Sequence, residues 1–157
     1  MAEQTSREAA RIASSAAGFK MHATSAGPVL STRISGPATV AWAQNDTCGN
    51  RFRIPKGARI LGAFVYSADM GTSVTLDVGL RAWTADGTGT AVDADGIVAA
   101  LDVAAAAING GFYATGALVA VGAEYTTLAD TEAYFTLAGA NPTDDALIAV
   151  EVLFVAP

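Results

Sequence analysis

Residues 51–83 read RFRIPKGARILGAFVYSADMGTSVTLDVGLRAW, and this stretch decides the fold class. It holds two hydrophobic strand patterns divided by turn signals, with almost no reactive chemistry between them. Pro55-Lys56-Gly57 is a turn, because proline fixes φ and glycine tolerates positive φ. Arg59 to Tyr66 follows as a buried strand, and Ser67-Ala68-Asp69-Met70-Gly71 closes it. Next comes the cleanest alternation in the chain: Val74, Leu76, Val78, Leu80 and Ala82 share one face, while Thr75, Asp77, Gly79, Arg81 and Trp83 share the other. The first face is core. The second is exposed or lies in an interface, which makes Thr75, Asp77, Arg81 and Trp83 the candidate contact residues.

Outward from this stretch the β signal continues. Val40 and Trp42 alternate with smaller residues, and Arg51 to Ile54 is a short run of its own. Further strand patterns lie at Ala117 to Val121, Glu124 to Leu128, Ala133 to Leu137 and Leu147 to Val155. Between Thr84 and Gly111 the alternation stops. Ala85 to Asp95 is loop-like, and Ile97, Leu101, Ala105 and Ile108 then fall at helical spacing before the stop signal Asn109-Gly110-Gly111, which predicts one short helical insertion. About eight strands, short turns and no βαβ rhythm predict an all-β, antiparallel β-sandwich. A jelly roll is one candidate topology, although strand order is not readable from these patterns.

The 157 residues fit one domain and an arm, divided near Gly36-Pro37 into an arm, 1–35, and a body, 36–157. Thr5 or Ser6 can cap a short helix through Ala17, but its apolar face of Ala9, Ile12, Ala13 and Ala16 is thin, so the arm is expected to be extended or partly helical. Charged residues make up only 15% of the chain against an apolar share of 52%, a balance that points to surface hidden against neighbours. The charge is also uneven: eight basic and three acidic residues through Ile60 give +5, whereas Arg81 alone faces twelve acids afterwards, giving −11. The basic residues of the arm are spaced singly, without aromatic interleaving or a dense block, so the pattern favours an acidic protein surface over nucleic acid. Apolar runs are short and interrupted by Asp102 or Glu151, which leaves no membrane span and no secretory segment to expect.

Catalytic chemistry is sparse. The one histidine, His22, lies in the polar arm, and the one cysteine, Cys48, is expected reduced in or near a loop. Asp93-Ala94-Asp95-Gly96 lacks the further ligands of a calcium loop, and Gly87-Thr88-Gly89 lacks the strand and helix of a dinucleotide site. No catalytic residue, metal or cofactor is expected. Aromatic residues near strand ends, Trp83, Phe112, Tyr125 and Tyr134, are better candidates, as interface anchors or as a carbohydrate-binding platform.

The run Ile54-Pro55-Lys56-Gly57-Ala58-Arg59-Ile60, followed by Ser73-Val74-Thr75-Leu76-Asp77-Val78-Gly79, resembles a pattern of small tailed-bacteriophage virion proteins, the capsid decoration or cement proteins. The resemblance covers residues 51–83 and, more loosely, the final strand. It implies a β-rich, often trimeric subunit, located on the outer surface of the phage head and in the host cytoplasm before assembly, that binds the major capsid protein lattice and ties capsomers together without chemistry. Under that reading Arg7, Arg11, Lys20 and Arg33 form the capsid-contact arm, and the partners are the major capsid protein and further copies of the chain, with neither nucleic acid nor membrane. The alternatives are another phage structural subunit, such as a head fibre base, tail or adaptor component, and a carbohydrate-binding β-sandwich module.

Overall fold

Alternating apolar residues build eight strands in the computed structural model, which describes residues 28–36, 42–104, 106–120, 125–143 and 146–157. They are β1 (Val29–Ser35), β2 (Thr47–Gly49), β3 (Arg59–Ser67), β4 (Thr75–Ala82), β5 (Ala91–Asp102), β6 (Ile108–Tyr113), β7 (Thr131–Ala138) and β8 (Ile148–Val155). All pairings are antiparallel: β1 with β8, β2 with β7, β3 with β6 and β4 with β5. Those four pairs make one long hairpin that reverses between β4 and β5. Pairing of β8 with β3 and of β7 with β4 rolls the hairpin into two sheets, a first of order β1-β8-β3-β6 and a second of order β2-β7-β4-β5. The result is a jelly-roll sandwich.

The core lies between the sheets and follows the alternation. Cross-strand rows such as Ile34-Val150-Val65 in the first sheet and Leu76-Leu137 and Val78-Phe135 in the second are buried. Each such side chain contributes roughly 1.5–3 kcal/mol of burial. Trp42 closes one side of the core with its ring 5.8 Å from that of Phe135. Along β4 most of the expected core face is observed: Val74, just before the strand, and Leu76, Val78 and Leu80 are buried, while Ala82 at its end is only half-buried.

Several expectations change. Among the described residues there is no helix; the expected helical insertion is strand, β5 running to Asp102 and β6 beginning at Ile108. Its misleading spacing comes from bulges, since β5 slips register against β4 three times, between Leu76/Val78, Val78/Leu80 and Leu80/Arg81, and each slip breaks the period of two. The expected strand at 117–121 is partly a turn, in which Val119 and Ala120 both donate to the Gly116 carbonyl. Of the runs 51–54 and 124–128, only the isolated bridges Ile54 to Thr131 and Arg59 to Thr126 are made. Finally, residues 29–35, assigned above to the arm, are β1, paired along its whole length with β8. The sheet therefore begins before the expected boundary at residue 36. Arg7, Arg11, Lys20, His22 and the expected arm helix lie outside the described residues.

Candidate functional site

The outward positions of the two sheets make two different surfaces. On the second sheet, β4 and β7 are in register so that Arg81 stands opposite Glu132, Gly79 opposite Tyr134 and Asp77 opposite Thr136. Glu132 is fully buried although it points away from the core. Its Oε1 accepts from Arg81 Nη2 at 2.6 Å and from the Arg51 amide at 3.2 Å, and the Arg81 guanidinium lies 5.1 Å from the centre of the Tyr134 ring. Trp83 Nε1 donates to the Arg51 carbonyl at 3.0 Å, Arg53 covers the Trp83 ring, and Arg53 Nη2 reaches Asp130 Oδ2 at 2.7 Å. The segment Asn50–Arg53 is thereby pinned across the outside of the sheet.

The other side of this face is closed by β5. A side chain at Gly79 would collide with the backbone of Asp93 and Ala94, so glycine lets the bulged part of β5 press against β4. Asp77 Oδ1 accepts from the Ala100 amide at 2.7 Å and holds β5 where Ala100 takes a φ of 47°. Burial pushes the Asp93 carboxyl above its usual range, a shift to which its hydrogen bond with Asp95 adds. The Tyr134 hydroxyl is also raised, by burial first, with Arg81 opposing and Asp93, Asp95 and Asp77 adding. Cys48 lies in β2, half-buried against the core, and burial pushes its thiol up while Arg81 opposes. A raised thiol is a poor nucleophile.

On the first sheet the outward rows run across all four strands. One row is Arg33-Glu151-Phe64-Phe112, and the next is Ser35-Ala149-Tyr66-Asn109. Phe64 and Phe112 meet edge to face with centroids 5.4 Å apart, and Phe112 is 50% exposed. Gly62, at the bulge of β3, has the Phe112 ring where its side chain would stand. The Arg33 guanidinium lies 5.0 Å over the Tyr66 ring. Beside that stack is an open groove of about 550 Å³, floored by Ala149 and flanked by Ser35, Asn109 and Leu147. Small residues at the floor and long ones at the rim create it.

This jelly roll has counterparts of known structure. The chain is similar to one in the cyanophage Pam1 capsid asymmetric unit, with a TM-score of 0.59 and 22% identity over 83% of this chain and 86% of that one. It is also similar to one in the capsid of Ralstonia phage GP4, with a TM-score of 0.62 and 21% identity over the same shares. The likeness is one of fold. No family model matches the sequence, and no curated protein does.

The candidate residues are therefore split. Arg81 and Trp83 join one network around Arg51, whereas Thr75 and Asp77 lie toward the other end of β4, with Asp77 holding β5. Arg33 is on the first sheet, across the sandwich from all four. Phe112 was visible as an aromatic near a strand end, but its partner Phe64 and the neighbouring Tyr66 were not. The bulge at Gly62 hides their shared outward parity, and the sequence signal is the glycine inside an otherwise apolar strand. Among the described residues, no group of three or more His, Cys, Asp or Glu side chains gathers as a metal site.

Proposed function

We propose that this protein is a phage capsid decoration subunit, a structural and non-enzymatic component of the virion that binds the major capsid protein lattice on the outer surface of the head. The reading is carried by the jelly-roll fold shared, over more than four-fifths of each chain, with chains in two phage capsid structures. The stretch 54–79 and its resemblance to cement proteins support it from the sequence. The body associates into a trimer through the outer face of the first sheet, where Phe64 and Phe112 supply apolar contact area and Arg33 and Glu151, on adjacent strands, supply charges of opposite sign. Arg7, Arg11 and Lys20 lie along acidic grooves between capsid subunits, and trimer avidity offsets the entropy lost as each arm orders. Thr75, Asp77, Arg81 and Trp83, each part-exposed, shape the opposite surface, where the exposed Arg53 beside Trp83 is a charge that a neighbour can meet.

The groove beside Arg33 favours this over a sugar-binding module, because Arg33 occupies the face of Tyr66 that a sugar ring would stack on. The test is co-sedimentation with capsids that lack the protein. The full chain binds as a trimer, and the Arg7→Ala/Arg11→Ala/Lys20→Ala chain binds more than about tenfold more weakly at physiological salt. Equal binding by the two excludes the arm mechanism, and no binding by either excludes the decoration role. Deletion of residues 1–35 is unsuitable, because it also removes β1 and bares β8.

A further inference from the structure

One end of the sandwich is open beside β1. Val29, Leu30 and Phe52 are 59%, 42% and 46% exposed, although Leu30 is the cross-strand partner of buried Phe154 and the Phe52 ring lies 6.3 Å from that of Phe154. Leu30 and Phe52 thus flank a core side chain without being covered themselves. The edge of β1 is open at the same place. Gly36 donates to the Ile148 carbonyl, so the even-numbered residues of β1 turn their backbone groups toward β8 and the odd-numbered ones away from it. Asn50 Nδ2 donates to the Arg33 carbonyl at 2.7 Å and to Thr32 Oγ1 at 2.7 Å, which stops that edge at Arg33. Val29 and Ser31 are left, each with an N–H and a C=O pointing outward and no backbone partner among the described residues.

We propose that residues 19–24 of the same chain occupy this opening as a ninth strand, antiparallel to β1. The sequence leading to Val29 is Phe19-Lys20-Met21-His22-Ala23-Thr24-Ser25-Ala26-Gly27-Pro28, an alternating run followed by four residues of turn chemistry. A loop of Ser25 to Pro28 pairs Thr24 with Val29 and His22 with Ser31, so these residues exchange the free N–H and C=O groups of the edge. The same register puts Ala23 and Met21 on the inner side with Leu30 and Thr32, and carries Phe19 onward past Phe52. Lys20, His22 and Thr24 face outward. Direct connection to β1 makes this occupant preferable to another copy's arm, because short loops close at the lowest entropic cost. The added strand covers an edge that otherwise invites pairing with other chains. It also confines the unpaired part of the arm to residues 1–18 and leaves Lys20 on the outward side of the strand, free to meet a capsid subunit together with Arg7 and Arg11, a consequence that rests on the decoration reading, whereas the strand itself does not.

The test is residue-resolved amide hydrogen exchange on the full chain, free of capsid. In the native sequence the amides of His22, Thr24 and Val29 exchange at least about tenfold more slowly than in two variants, and that of Ser31 at least about tenfold more slowly than in the first of them, which keeps it. Phe19→Asp/Met21→Asp removes the inner-face contacts. Ser31→Pro removes an N–H that points away from β8 and so leaves the β1–β8 ladder intact. Equal exchange in all three chains overturns the proposal. Protection that disappears on dilution also overturns it, because an intrachain strand is independent of concentration.

Discussion

The two outer faces of the sandwich differ in how their polar and apolar groups are satisfied. On the second sheet, Arg81 pairs with Glu132 and lies over Tyr134, and Glu132 and Trp83 both bond to the Arg51 backbone, so the face is covered by its own chain, with Arg81 Nε and Glu132 Oε2 buried beneath it without a partner among the described residues. On the first sheet, Phe64, Phe112 and the Arg33–Tyr66 stack form no such cover, and Phe112 remains half exposed. A closed face contributes to the stability of one molecule, and an open aromatic face is available to a second. The contrast separates folding energy from association energy, and substitutions on the two faces should move different measurements.

The largest expected effect is at Glu132. Glu132→Gln leaves the largely buried Arg81 without its counter-charge, and loss of one partner of a buried pair costs about 3–5 kcal/mol, read as a lower midpoint in denaturant unfolding. The double variant Arg81→Met/Glu132→Leu should recover most of that loss, since it leaves no unpaired charge. If the single variant costs under about 1 kcal/mol, the network is no more than an ordinary surface ion pair, and the contrast between the faces fails.

Phe112→Ser should behave in the opposite way. It removes the edge-to-face pair with Phe64 at a cost of about 1 kcal/mol to the folded chain, but it should weaken self-association measured by sedimentation velocity more than about tenfold. Unchanged association would mean that the open face is not the trimer surface.

How far these faces were legible in the sequence depends on whether alternation survives. In β4 and β8 it does, and their core faces are readable residue by residue. In β5 three register shifts destroy it, and the apolar residues left behind mimic a helix. β1 was missed because its outward Val29, Ser31, Arg33 and Ser35 give it the polarity of a tail. Glu132 shows the limit most clearly, because the residues that bury it, Arg51 and Arg81, are far from it in the chain and only the roll of the hairpin brings them together. Alternation says which way a residue points, but not whether a loop will lie over it.

Ala100 offers a smaller test of how the second face is closed. Its φ of 47° places a non-glycine residue in the left-handed region, held there by the Asp77 carboxylate on its amide. Ala100→Gly relieves that conformation and should raise stability by up to about 1 kcal/mol, whereas Asp77→Ala should lower it by about 1–2 kcal/mol. If both changes are neutral, β5 is held by the bulge packing at Gly79 alone.

The smallest effect belongs to Asp93 and concerns pH. Its carboxyl is raised by burial and by the hydrogen bond with Asp95, so folding favours the protonated form. The stabilisation from that proton is fully present below the ordinary carboxylate value of about 3.9 and is lost as pH rises through the raised value in the folded protein. Asp93→Asn carries no such proton, and it should flatten this part of the stability profile and give a gain at neutral pH. Because Asp93 is only partly buried, solvent screening keeps that gain below about 0.5 kcal/mol. Thermal melts of the two chains at matched ionic strength across the acidic range resolve it. A profile for Asp93→Asn parallel to that of the native chain would mean that Asp93 and Asp95 share no proton, and that the bulge closing the second face is held by backbone contacts rather than by this carboxyl pair.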